Sequence, residues 1–105
     1  MPLDNATFAF CAAIKGYKQL RGLDYNRADR YPENVECRQT VWWVVQQVAE
    51  CSTNTIAKVD GHYDRSTIQH GIYKISDAIR YKHLPPLRVM AETALRLKDI
   101  VIDQL

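Results

Sequence analysis

The sequence predicts an all-α protein, one compact domain of about five helices. Three observations carry that expectation. Apolar residues recur at helical rather than alternating spacing throughout the chain. Residues with cap and breaker chemistry (Ser52, Asp60-Gly61, Pro85-Pro86) stand between the periodic stretches. The 105 residues, 47% hydrophobic and 25% charged, suit a single core over 1–105 and leave no room for a two-domain enzyme.

Each element has its own signature. A first helix over 4–20 presents Phe8, Cys11, Ala12 and Ile14 or Lys15 at helical spacing, with Asp4 or Asn5 as its N-cap. Residues 22–35, rich in Gly, Asn, Asp and Pro, read as a loop. A solvated connection is the simpler reading of its mixed charges; the alternative is an arm laying Arg27 and Arg30 along phosphate. A second helix over 37–51 sets Val41, Val44, Val45 and Val48 on one face. The adjacent Trp42 and Trp43 cannot point the same way, so one fills the core and the other packs on the terminal helices or a partner. Ser52-Thr53-Asn54-Thr55 heads a two-turn helix over 53–59, ended by Asp60-Gly61.

The fourth helix, 64–81, carries Ile68, Ile72, Ile75 and Ile79 at i, i+4, i+7 and i+11, which makes that stripe the core face. Gly71 and Ala78 flank it and permit close helix approach. Pro86 suits the first turn of a last helix over 86–105, where Leu87, Met90, Ala94, Leu97 and Val101 recur every three or four residues. Such a face either closes the core or forms a short a/d seam for dimerisation or a partner helix.

Charge and cysteines narrow the function. The net charge is only +2, but residues 1–61 and 84–105 are each balanced. The excess lies in 62–83, where Arg65, Lys74, Arg80 and Lys82 face Asp64 and Asp77, and all three histidines fall there too. Cys11, Cys37 and Cys51 include no C-x-x-C, favouring neither disulfides nor zinc, and Cys11 and Cys51 read as small core residues. No nucleophile elbow, metalloprotease motif or phosphate-cradling Gly-rich loop is present, so neither enzyme activity nor a cofactor or metal is expected. A start without a basic n-region and the absence of a long apolar run suggest a cytoplasmic, nucleoid-associated protein with no membrane partner.

Residues about 37–82 have the layout of a helix-turn-helix: supporting helix, short helix, Gly-containing turn, polar-faced helix. Opposite the isoleucines lie Ser66, His70, Tyr73, Lys74 and Asp77, with Arg65, Thr67 and Gln69 on the flanks. An ordinary amphipathic surface helix also has such a face. Arg pairs with guanine, Gln with adenine, and Ser or Thr with bases or phosphate.

The segments Arg38-Gln39, Ser52, Ile56 and Gly61-His62-Tyr63-Asp64-Arg65-Ser66-Thr67-Ile68-Gln69-His70-Gly71-Ile72-Tyr73-Lys74-Ile75 add a resemblance. Over 38–75, about a third of the chain, they resemble the C-terminal DNA-binding domain (domain IV) of the bacterial replication initiator DnaA, within the Trp-repressor-like helix-turn-helix group. Gly61, Asp64, Thr67, His70, Lys74 and Ile75 match that family's pattern outright. The resemblance implies groove contacts by Asp64, Ser66 and Thr67, with Arg65 at the family's histidine altering base preference. Val35-Glu36-Cys37 stands where the family's basic minor-groove loop lies, leaving Arg38 as the nearest basic residue; His62 and Tyr63 replace its second glycine and Arg. No G-x-x-x-x-G-K-[ST] is present in these 105 residues, so an ATP-switched initiator is not expected.

The expected function is therefore sequence-specific binding of double-stranded DNA by a transcription regulator, in particular an activator. Small activators of the gene transfer agent type are one group it is similar to. Arg65, Ser66, Thr67 and Gln69 would read the major groove, helped by Asp64, His70 and Tyr73, while Arg38, Lys74, Arg80 and Lys82 hold phosphates. A partner surface of Trp42, Trp43, Leu87, Met90, Leu97 and Val101 would receive a sigma-like or other transcription protein, or a second copy. The alternatives are a protein-interaction module or a replication-initiation modulator on the same fold.

Overall fold

A computed structural model describes residues 2–105, with side chains from Asn5 onward. Its elements are α1 (Pro2–Arg21), α2 (Pro32–Ala49), α3 (Thr53–Asp60), α4 (Arg65–Arg80) and α5 (Pro85–Asp103), with no strand among the described residues. This is the expected all-α architecture of about five helices.

The central element is α2, which packs against all four other helices. Pro32 starts it in the first turn, where a missing N–H costs nothing, after an extended Tyr31 whose carbonyl accepts from the amides of Asn34 and Val35. The helix thus begins five residues before the expected Cys37, and the loop shortens to 22–31. Cys37, Thr40, Val41, Val44 and Val45 are fully buried, so α2 is apolar around most of its circumference, as an internal helix must be. Trp42 and Trp43 are both buried, at 3% and 5% exposure. Trp42 turns toward α4, and Trp43 lies under Lys98 of α5, whose Nζ stands 5.9 Å from the ring centroid. Neither indole is open to a partner. The helix ends at Glu50, in the left-handed region, whose N–H donates to the Gln46 carbonyl.

The face of α1 differs in part from the expected one. Ala12 is buried and Ile14 packs at the core margin as expected, but Phe8 is 44% exposed and Cys11 is exposed, while Ala6, Ala9, Phe10, Ala13 and Tyr17 point inward. Small residues win because they let α1 lie close to its neighbours: a Cβ on Gly16 would stand 2.6 Å from Leu97 Cδ1. The helix also starts at Pro2, which puts Asn5 inside it rather than at its cap; the Asp4 side chain lies outside the described ones.

Helix α5 opens on Pro85 and Pro86 and closes the core. Ala91, Ala94, Leu97 and Val101 are fully buried between α1, α2 and α4, while Leu87 and Met90 are partly covered. Leu97 and Val101 are therefore core residues and are not available as a partner seam. Among the described residues no helix is long and apolar enough to cross a membrane.

Candidate nucleic-acid interface

Two cap residues start α3 and α4. Ser52 Oγ accepts from the Thr55 amide at 3.2 Å and opens α3, whose Ile56 is fully buried. Gly61, at φ 80°, ends α3 and donates its N–H to Ala57; a side chain there would strain the turn. Three residues later Asp64 accepts from the Thr67 amide at 2.9 Å and starts α4. That bond to the charged form holds the Asp64 carboxyl below the usual carboxylate range. Asp64, which the resemblance assigns to the groove, caps α4 through Oδ1 and is itself exposed.

The isoleucine stripe of α4 faces inward as expected, with Ile68, Ile72 and Ile75 buried and Ile79 packed at the margin. Gly71 permits the crossing with α2, since a Cβ there would sit 2.8 Å from two atoms of the Trp42 ring. The opposite side is open. Arg65, Ser66, Thr67, Gln69, His70, Tyr73, Lys74, Asp77 and Arg80 are exposed, as is Lys82 just beyond the helix. Arg65, Ser66, Gln69, His70 and Tyr73 line one shallow depression, and Gln69 Nε2 donates to Tyr73 Oη at 2.9 Å. Among the described residues the ion pairs are Lys18–Asp24 and Arg27–Asp60, so the cations of this face carry no protein counter-ion.

Arg38 departs from its expected role. It is 5% exposed, and its Nη1 donates to the carbonyls of Asn26 at 2.8 Å and Asp29 at 2.7 Å. Its guanidinium lies 5.2 Å from the Tyr63 ring centroid, and Nε has no hydrogen-bond partner. A cation so enclosed cannot meet a phosphate; Arg38 clamps the loop to the turn before α4. Arg27 is likewise an anchor. Its Nε donates to the Asp60 carbonyl at 2.8 Å, and its guanidinium lies near the rings of Phe10 and Tyr25. Both loop arginines are exposed, but Arg27 is held by Asp60.

The organising residue is Asp60, 4% exposed and expected only as a chain breaker. Its carboxylate accepts from the Tyr25 hydroxyl, from Trp42 Nε1 at 3.2 Å and from the His62 amide at 3.2 Å, and pairs with Arg27 at 3.4 Å. Burial first, then the Asp60 carboxylate, push the Tyr25 phenol far above its ordinary range, so it remains a donor. Tyr63 closes the set by donating to the Arg27 carbonyl. Tyr25, Arg27, Asp60 and Tyr63 thus join the loop to the turn that launches α4. The sequence carries no periodic signal for such a network; the local sign was an acidic residue immediately before the capping Gly61. Among the described residues no three His, Cys, Asp or Glu converge as metal ligands.

No family model, no curated protein and no solved structure matches the chain. The likeness to the initiator domain rests on the residues of 38–75 named above.

Proposed function

We propose that the protein binds duplex DNA sequence-specifically and activates transcription, with α4 as its recognition helix. The observation that carries this reading is the two-sidedness of α4. Its isoleucines anchor it in the core, while its first two turns display exposed Arg65, Ser66, Thr67, Gln69 and His70 without protein counter-ions. Those side chains have the donor and acceptor chemistry that distinguishes base pairs in the major groove. Lys74, Arg80 and Lys82 continue along the same helix and its exit, and hold phosphates. Asp64 caps the helix, and Arg38 sets its position through Tyr63.

Only a few cations serve the backbone, so the electrostatic grip is small and tight occupancy requires a second protein on the DNA: another copy, or a sigma-like partner. The test is the affinity for genomic duplex fragments measured against salt. Three phosphate contacts give a log K against log[salt] slope of about −3. Absence of binding to every fragment at low salt would refute the proposal. The exposure of Phe8, Ile102 and Leu105 favours a second reading, a protein-interaction module, which that negative result would promote.

A further inference from the structure

Resting on that DNA-binding reading, we infer that Gln69, with its amide oriented by Tyr73, determines specificity for an adenine, and that Arg65 reads a guanine about two base pairs away. A glutamine on a solvated helix face ordinarily samples many rotamers, which costs binding free energy when it is fixed against a base. Here one N–H of Nε2 already donates to Tyr73 Oη at 2.9 Å, one turn further along α4. The side-chain amide has two N–H donors and one carbonyl. With one donor committed to Tyr73, one N–H and the carbonyl oxygen remain. That donor and acceptor pair matches the N7 acceptor and N6 amino donor of adenine in the major groove.

Tyr73 is 59% exposed, its hydroxyl bonded to Gln69 among the described residues, and both residues line the same depression as Arg65. Tyr73 is thus a positioning residue acting through Gln69, while its phenolic proton remains free to donate outward. The four-residue interval from Arg65 to Gln69 spans about 6 Å of helix rise. For a helix lying along the groove this approaches two base-pair steps of about 3.4 Å. Arg65 has no carboxylate partner among the described residues to neutralise it or hold it back from guanine O6 and N7.

The experiment is selection from a random duplex library with the full chain, followed by titration of fluorescein-labelled duplexes that differ at one base pair. The expected result is a selected site in which replacing one A·T pair lowers wild-type affinity by about 5- to 150-fold. Gln69→Ala should abolish that preference, and Tyr73→Phe, which removes only the oxygen, should reduce it by about three- to fivefold. Arg65→Ala should erase preference at a G·C pair roughly two steps away. Circular dichroism establishes that each variant is folded, and the readout is a ratio of affinities, which a general loss of stability does not move. A selected site whose base preferences survive Gln69→Ala at every position would overturn this inference while leaving DNA binding intact. Full adenine preference in Tyr73→Phe would overturn the orienting role. Failure to enrich any duplex would refute the DNA-binding reading itself, and this inference with it.

Discussion

Removing the Asp60 carboxylate should destabilise the protein more than any change on the exposed side of α4. Asp60 is 4% exposed and accepts from the Tyr25 hydroxyl, Trp42 Nε1 and the His62 amide. In Asp60→Ala, Trp42 Nε1 retains Tyr25 Oη at 3.1 Å, but the phenol loses its acceptor and the His62 amide loses its cap. A hydrogen bond to a charged group contributes about 1.5–3 kcal/mol. Two such bonds lost from a buried site give a cost of about 3–6 kcal/mol. The Arg27 pairing adds little, because the Arg27 side chain is 42% exposed and rehydrates. Against a total of about 5–15 kcal/mol this is severe. Urea unfolding followed by Trp fluorescence reads it directly: with a slope of about 1.5 kcal/mol/M, the midpoint falls by roughly 2–4 M at constant slope. A double-mutant cycle with Tyr25→Phe should show a coupling of about 1 kcal/mol or more. A cost for Asp60→Ala below about 1 kcal/mol, or strict additivity with Tyr25→Phe, would refute the assignment of Asp60 as the organising residue.

Three further outcomes are expected. Gly71→Ala gains about 1 kcal/mol of helix propensity but forces a methyl to 2.8 Å from the pinned Trp42 ring, an overpacking of about 1–3 kcal/mol. Its thermal midpoint should fall; a stabilised Gly71→Ala would contradict the crossing geometry. Burial raises the Glu36 carboxyl, partly offset by Arg21, so the favourable contribution of its neutral form is present at acid pH and is lost as pH rises through the folded-state value. Glu36→Gln should therefore be more stable than wild type at pH 7, with the difference vanishing below about pH 4; a difference unchanged by pH would sink the burial argument. A thiol reagent at pH 8 should label exposed Cys11 first, while buried Cys37, its thiol pushed up to about 12 chiefly by burial, should react only on unfolding.

Periodic apolar patterns and cap chemistry made α3, α4 and the bulk of α2 legible in the sequence, including the isoleucine stripe, the Ser52 cap and the Gly61 stop. Those features are local: each follows from backbone geometry within a few residues. The face of α1 was not legible, because hydrophobicity alone favours Phe8 and Cys11 over alanines. Only the presence of Leu97 and Ile100 opposite Gly16 shows that close approach governs that contact. Arg38 was misassigned, and the network of Asp60 beyond its place in the chain break was missed, for a related reason. A charged residue ordinarily sits in solvent, and its burial here depends on partners 9 to 35 positions away in the chain: Asn26, Asp29 and Tyr25. The polar residues of α4 were legible as a set. The bond between Gln69 and Tyr73 was not, since i, i+4 spacing permits it without requiring it.

The central claim is that the exposed side of α4 meets duplex DNA. Its most direct test is titration of isotopically labelled protein with a selected duplex, followed by amide and side-chain chemical-shift mapping. The account predicts that the largest changes fall in Arg65–Lys74, including the Gln69 side-chain amide and the Arg65 guanidinium, with smaller ones at Arg80 and Lys82. Changes centred on the exposed faces of α1 and α5 instead, around Phe8, Val89 and Ile102, with Arg65–Lys74 unmoved, would contradict it.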